Sequence, residues 1–358
     1  MLKKSTFNGG RKILRKSTLV IVVLLVLSVL VFTACAPRAE QVAPAPVFTP
    51  ASELVPPPGK SFRVLPVDKV AEDEIRIASI MVQNNPFGMA VMEGVDHAEK
   101  ILADRNVRVD FISVPDFDPQ GFHDAIESAI TAQYDAITFF GLSEALTPIV
   151  NRGVEEGILM FSFNTEPGMD SKRHAYWGQD GFAGGQKSAQ LLMDAMGGTG
   201  KYAIITGSFS VLGHELRRTG ARSIFDKNPN MVLVGEFENQ DKAEEAYNIT
   251  QNLLTAHPDL KGIYVTAGGP FGAAKAIQDA GLTGKIKIVA HDWMEETIAF
   301  VRSGEITAVL DQDPFNQGFA PVVSAFNQLA GGIVPEEINW FEGDVATPEN
   351  VDEKVPLR

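Results

Sequence analysis

Strand-like and helix-like segments alternate along most of this chain, and few folds accommodate such a pattern. The strand-like segments are short, rich in β-branched residues and almost free of charge, as strands buried on both faces of a parallel sheet are. Strands are predicted at residues 75–82, 107–114, 136–140, 159–163, 202–206, 232–237, 262–265 and 286–290, and helices at 119–133, 143–156, 181–196, 214–227, 242–257 and 270–280. The alternation forms two series, the second starting near Tyr176. It predicts an α/β protein of two Rossmann-like, doubly wound lobes whose loop edges face each other across a cleft.

Polar residues follow the predicted strands. The first strand, Ile75–Val82, ends in the amides of residues 83–85, and Pro86 and Phe87 then open a helix. Later strands are followed in the same way by Asn164, Thr165, Gln179, Asp180, residues 208–215, residues 266–269, Asp292, Trp293, Gln312 and Asp313. Small molecules bind beyond the carboxyl ends of strands in open α/β sheets, and amides, carboxylates and flat aromatic faces suit a hydroxylated, uncharged molecule. We interpret these residues as a carbohydrate cleft, and helix capping stays open as the alternative explanation for each one.

The N-terminal segment predicts export and a lipid anchor. Residues 1–34 hold six basic residues and no acid, and the apolar run of 14 residues at 19–32 has the length of a signal-peptide core. Cys35, the only cysteine of the chain, follows at once, and residues 32–35 resemble a bacterial lipobox, which implies acylation of Cys35. A plain cleavage site with an incidental cysteine is the alternative. Residues 35–73 contain eight prolines and are predicted to be a disordered tether.

Charge and motifs argue against several function classes. Beyond residue 34 the chain has 25 basic and 45 acidic residues, a formal charge near −20 that disfavours nucleic acid as a partner. Residues 196–202 look like a phosphate loop but precede a strand, and residues 116–127 approach a calcium loop but fit better as a helix start with Asp118 as N-cap and Pro119 at N1. There is no HExxH, no GxSxG and no close histidine pair. We therefore expect no enzyme, no metal and no cofactor.

Four stretches resemble a known family. They are NNPF at residues 84–87, QNLLTAHPDLKGIY at 251–264, IVAHDW at 288–293 and LDQDPFNQG at 310–318. In order and spacing, and over nearly all of residues 75–358, the chain resembles the type I periplasmic sugar-binding proteins of ABC transporters. These include the ribose, galactose and allose binders, and they share their ligand core with LacI-type repressors. The resemblance implies ligand contacts from Asn85, Phe87, Asp292 and Gln312.

The chain departs from the ribose-binding branch at two places. Asn164 and Thr165 stand where that branch has Asp-Arg after the fourth strand, and His214 or Glu215 aligns where its next arginine lies. The predicted ligand contacts are Gln83, Asn85, Phe87, Asn164, Thr165, Asp180, His214, Glu215, Thr266, Asp292, Trp293 and Gln312. We expect their lining to hold three acids and no base, and therefore to exclude sugar acids and sugar phosphates.

The resemblance also implies a domain plan. Three crossovers between lobes are expected near residues 177–179, 312–314 and 338–341. The N-terminal lobe would comprise residues 74–178 and 313–340, and the C-terminal lobe residues 179–312 and 341–358, after the signal peptide at 1–34 and the tether at 35–73.

The resulting prediction is a monomeric, lipid-anchored extracytoplasmic receptor. It would capture a neutral monosaccharide or sugar alcohol by hinge closure and deliver it to an ABC permease that has a separate ATPase subunit. Alternatives are a sensor that presents sugar to a chemoreceptor or histidine kinase, and a binder of an amino sugar or an autoinducer-2-like molecule.

Overall fold

The structure is a computed structural model, and it describes residues 48–82, 84 and 86–355. The predicted leader, Cys35, Gln83 and Asn85 lie outside the described residues. No helix of the described part is long and apolar enough to cross a membrane.

The first lobe is built on a six-stranded parallel sheet in the order β11-β5-β4-β3-β1-β2. Its strands are β1 Ile75–Val82, β2 Val107–Val114, β3 Ala136–Phe140, β4 Leu159–Phe163, β5 Ala175–Gly178 and β11 Ile338–Trp340. Its helices are α1 Pro86–Leu102, α2 Pro119–Thr131, α3 Thr147–Glu155 and α9 Pro314–Gly331. β3 and β4 are buried along their whole length, as their uninterrupted apolar sequences require.

The second lobe has a six-stranded sheet in the order β12-β10-β9-β8-β6-β7, parallel except for β12. Its strands are β6 Gly200–Thr206, β7 Met231–Glu238, β8 Leu260–Val265, β9 Lys287–His291, β10 Ala308–Leu310 and β12 Val345–Ala346. Its helices are α4 Gly181–Ala195, α5 Leu212–Phe225, α6 Ala243–Ala256, α7 Pro270–Asp279, α8 Glu295–Arg302 and α10 Val351–Lys354. Separate apolar cores fill the two lobes. Two doubly wound lobes are therefore present, and the predicted fold class is confirmed.

The chain passes between the sheets after β5, after β10 and after β11, and the three crossings are hydrogen-bonded to one another. Gln179 Nε2 donates to the Asp311 carbonyl (3.1 Å), and the Phe341 amide donates to the Gly178 carbonyl (2.7 Å). Between the second and third crossings, α9 lies on the first lobe against α1. The helices approach so closely that a Cβ at Gly94 would overlap the carbonyl oxygen of Phe315. The connections thus form one bonded hinge.

Residues 48–73, which we call the N-terminal strap, differ from the predicted disordered tether. Two asparagines of α9 bond to the strap backbone: Asn327 receives the Val67 amide (2.8 Å) and donates to the Leu65 carbonyl (2.9 Å), and Asn316 donates to the Ser61 carbonyl (2.8 Å). The Phe62 ring stacks on an α9 ring with centroids 4.7 Å apart. The strap is held by side chains more than 250 positions away in sequence, which its own composition cannot reveal.

The strap should contribute measurably to stability. Asn327→Ala removes two hydrogen bonds to strap backbone groups, so we expect the free energy of unfolding to fall by about 1 to 3 kcal/mol. Urea denaturation followed by circular dichroism measures this. Asn252→Ala, at an exposed position of α6, is the matched control and should change stability by less than about 0.5 kcal/mol. Equal stability of the two variants would show that the strap is not held in solution.

Residues 116–127, which approach the pattern of a calcium loop, contain the start of helix α2. Asp118 caps α2 by accepting the Gly121 amide (2.9 Å), with Pro119 as the first helical residue. Within residues 48–82, 84 and 86–355, no cluster of three or more His, Cys, Asp or Glu side chains is placed to hold a metal ion.

Candidate functional site

A cavity lies between the carboxyl edges of the two sheets. Together with its open mouth it comprises about 610 Å³ of empty space. Its walls are formed by Pro86, Phe87, Phe117, Phe140 and Asn164 of the first lobe, by His214, Arg217, Asp241, Ala267, Gly268, Gly269, Pro270, Phe271, Asp292, Met294 and Thr297 of the second, and by Gln312 of the hinge. The two lobes are in direct contact next to the cavity, where the Leu212 amide donates to the Leu142 carbonyl across the cleft (3.3 Å).

Gln312 is the centre of a polar network in this cavity. Its side-chain oxygen accepts hydrogen bonds from Arg217 Nη2 and from Asn164 Nδ2 (3.3 Å), and its side-chain nitrogen donates to Asp292 Oδ1. Arg217 Nη1 donates to the Thr266 carbonyl (3.0 Å). A single hinge amide therefore connects the first lobe to a cation and an anion of the second.

Arg217 is buried, and its Nε has no hydrogen-bond partner among the described residues. The hydroxyl of Thr297, also in the cavity wall, is likewise buried without a hydrogen-bond partner among the described residues. Unpaired buried polar atoms are costly, and in a binding site they are the groups that a ligand satisfies.

Asp292 follows β9 in a left-handed conformation, with φ of 78°, and its amide is fixed to the Leu310 carbonyl (2.9 Å). Burial raises the pKa of its carboxyl to about 6, while Arg217 and the hydrogen bond from Gln312 act in the opposite direction. The site thus holds a desolvated carboxylate that a ligand hydroxyl can reach.

His214 is buried, and burial lowers the pKa of its ring below the ordinary value, with Arg217 acting in the same direction and Asp241 against it. Its Nδ1 accepts the Ser208 amide (3.0 Å). A neutral ring with Nδ1 as acceptor carries its hydrogen on Nε2, so the histidine is a hydrogen-bond donor at that atom.

Of the residues singled out from sequence, the structure places five in the cavity wall: Phe87, Asn164, His214, Asp292 and Gln312. Gln83 and Asn85 lie outside the described residues.

Glu215, Asp180 and Trp293 do not line the cavity. Glu215 forms an ion pair with Arg218 (2.7 Å) on the outer face of α5, and Asp180 caps α4 by accepting the Ala183 amide (3.0 Å). The indole of Trp293 donates to the Val309 carbonyl (3.1 Å) and packs against the second lobe's core. Of the two aromatic residues predicted to contact a ligand, Phe87 lines the cavity and Trp293 does not.

Thr165 and Thr266 are also absent from the wall. Thr165 is buried against Gly213 of the other lobe, and Thr266 bonds through its hydroxyl to Thr206 (2.8 Å), so only its backbone takes part in the network. The expected lining of three acids and no base is likewise not found, since the wall holds the acids Asp241 and Asp292 and the base Arg217.

Sequence reasoning missed Arg217, Asp241, Phe117, Phe140, Phe271 and Met294. A signal for Arg217 was present: the buried positions of α5 are 213, 214, 217, 220, 221 and 225, the spacing of one helix face. Arg217 shares that face with His214, whereas Glu215 does not.

Two lobes joined by three crossings around one cavity are the architecture of a protein that encloses a small molecule. The family model described as periplasmic binding protein domain matches residues 78–333, and the chain belongs to this family. The predicted family is therefore confirmed.

Individual relatives agree with this assignment. The D-allose-binding periplasmic protein of Escherichia coli strain K12 is 29% identical over 245 residues, covering 66% of this chain and 78% of that protein. The glucose-galactose binding protein GanP of Geobacillus stearothermophilus has a similar structure, with a TM-score of 0.72, 24% identity, and coverage of 80% of this chain and 100% of that one. An ABC transporter solute-binding protein of Agrobacterium vitis, solved with bound α-D-tagatopyranose, gives a TM-score of 0.71 at 25% identity, covering 78% and 96%.

Proposed function

We propose that this protein captures a neutral monosaccharide or sugar alcohol between its lobes and delivers it to an ABC importer. The observation that carries the proposal is the network of Gln312, Arg217, Asp292 and Asn164, in which donors and acceptors from both lobes converge on one cavity. Vicinal hydroxyl groups both donate and accept hydrogen bonds, and such a mixed set matches them.

The apolar part of the wall supports the same substrate class. Phe87, Phe117, Phe140 and Phe271 line the cavity, and aromatic rings suit the C–H side of a sugar ring. Of the relatives named above, one is a D-allose-binding protein and another was solved with bound α-D-tagatopyranose, and both sugars are neutral hexoses.

The charge of the cavity disfavours anionic ligands. Asp241 and Asp292 against Arg217 leave one net negative charge when His214 is neutral. A carboxylate or phosphate ligand would be repelled in this desolvated space, whereas an ammonium group would be attracted. A cationic amino sugar is therefore the second candidate, and the net charge is the observation that favours it.

Export and anchoring complete the proposal. Residues 32–35 resemble a lipobox, so the mature protein would carry acyl chains on Cys35 at the extracytoplasmic face of the cell envelope. The partners would be a membrane permease and its ATPase subunit, and the protein would act as a monomer. The same anchor and cavity would serve a sensor that passes the sugar to a chemoreceptor or histidine kinase, and also a binder of an autoinducer-2-like molecule.

A thermal-shift panel tests the proposed ligand class. Neutral pentoses, hexoses, deoxysugars and polyols are compared with sugar acids, sugar phosphates, amino sugars and amino acids. A true ligand at about 100 times its Kd should stabilise the protein by about 2.7 kcal/mol. We expect only neutral compounds to reach this shift, and the best one to reduce the radius of gyration in small-angle scattering, because a divided site gains its full contacts when closed. A panel in which only acids or phosphates respond would contradict the proposal.

A further inference from the structure

Asp241 lies in an unusual turn at the edge of the cavity. It follows β7, and both Gln240 and Asp241 have left-handed backbones, with φ of 54° and 55°. L-residues avoid this region, and two in succession persist only where the surroundings enforce them.

The surroundings here are the loops after β6 and β8. The Gln240 amide donates to the Gly207 carbonyl (2.7 Å). The buried side chain of Asn239 donates to the Gly268 carbonyl (2.8 Å) and accepts the Asp241 amide (3.3 Å). The turn is therefore fixed on both sides before any ligand arrives, which is the preorganisation that a binding group requires.

Among the described residues, the carboxylate is held through one of its two oxygens. Asp241 Oδ1 accepts the Gly268 amide (2.7 Å), and no described residue bonds to Oδ2. Glycine is needed at both neighbouring positions, because a Cβ at Gly207 would lie 2.5 Å from Oδ1 and a Cβ at Gly268 2.9 Å from it. The side chain lines the cavity beside His214 and Gly269.

We propose that Asp241 is a specificity-determining residue, whose free Oδ2 accepts a hydrogen bond from a ligand hydroxyl while Oδ1 stays on Gly268. This rests on the function proposed above and narrows it: the ligand is a polyhydroxylated molecule that presents hydroxyl donors to Asp292 and a further, separate hydroxyl donor to Asp241. A deoxy analogue lacking the second hydroxyl leaves this carboxylate oxygen unpaired and binds poorly.

Asp241→Asn separates the binding role from a purely structural one. The amide oxygen of asparagine can still accept the Gly268 amide, and asparagine tolerates the left-handed backbone, so the turn is kept. Only the oxygen free for the ligand is replaced, by an NH₂ group. Asp259→Asn is the control, since that carboxylate pairs with Lys201 on the surface (2.9 Å) and does not line the cavity.

Calorimetry with the best neutral sugar and its monodeoxy analogues gives the test. We expect D241N to unfold at the temperature of the wild type, to bind the parent sugar about 10- to 100-fold more weakly, and to lose the discrimination that the wild type shows at one ring position. D259N should match the wild type throughout.

Three results would overturn the inference in distinguishable ways. Wild-type-like binding of every ligand by D241N would leave Asp241 outside the recognition of ligand. A lowered unfolding temperature, together with an equal loss of affinity for the parent sugar and all its analogues, would show that Asp241 only stabilises the turn. A wild-type protein that binds none of the neutral sugars would instead remove the proposed function, and this inference with it.

Discussion

Replacing Arg217 by methionine is expected to weaken ligand binding by about two to three powers of ten. Methionine keeps the apolar length of the side chain and removes the guanidinium that bonds to Gln312 and to the Thr266 carbonyl. The buried Nε, which has no hydrogen-bond partner among the described residues, is lost as well. Calorimetry at pH 7.5 measures the change in Kd.

The variant should also be less stable in a pH-dependent way. Without Arg217 the carboxylate of Asp292 is buried with no cation beside it, so the loss of unfolding free energy should be larger at pH 7.5 than at pH 5, where the carboxyl is protonated. Arg222→Met on the same helix is the control, because that arginine pairs with Asp226 at the surface (3.0 Å). Binding by Arg217→Met within about twofold of the wild type would exclude Arg217 from the site.

Asp292 should control both the affinity and its pH dependence. Asp292→Ala is expected to reduce affinity by about two to four powers of ten, since charge-assisted hydrogen bonds contribute about 1.5 to 3 kcal/mol each. In the wild type, affinity should decrease as the pH falls through about 6, because the carboxyl is then protonated and no longer accepts two hydroxyl hydrogen bonds. Titration calorimetry between pH 5 and 8 shows this, and a flat profile would contradict it.

The stability of the ligand-free protein should change with pH in the opposite direction to the affinity, and should increase as the pH falls. Burial raises the folded-state pKa of Asp292 from 3.8 to about 6, so between these values the folded state binds a proton that the unfolded state does not. This group therefore destabilises the fold above about pH 6, and the penalty is relieved as the pH falls towards 4. Asp292→Asn removes that contribution, so the difference in unfolding free energy between variant and wild type should shrink over the same interval.

Sequence patterns predicted the strands well and the site only in part. The bounds of β3 and β4 were predicted to the residue, because short runs without charged residues between polar turns leave little freedom. Which side chains line the cavity depends on how each helix or strand is rotated about its own axis. Glu215 and Arg217 are two residues apart and hence about 200° apart around α5, so the helix start alone does not decide which of them faces the ligand.

Asp241 and Trp293 show a second limit. Asp241 reaches the cavity through a left-handed turn fixed by loops that follow two other strands, and no local pattern encodes that path. Trp293 adjoins Asp292 in sequence, yet the left-handed backbone of Asp292 turns the indole to the core and leaves Met294 in the wall. Polar residues at strand ends thus indicate in the sequence where a site lies. Which of their side chains face the cavity depends on left-handed backbone conformations that the sequence does not reveal.

The N-terminal strap alters the geometry of the proposed lipid anchor. The Phe48 ring lies under the Arg105 guanidinium of the first lobe (4.5 Å), and 12 residues stand between Phe48 and Cys35 in the sequence. Whatever their conformation, 12 residues span at most about 43 Å. If Cys35 is acylated as proposed, Phe48 and the first lobe attached to it would stay within about that distance of the membrane. Hinge motion would then chiefly change the distance of the second lobe from the membrane partner.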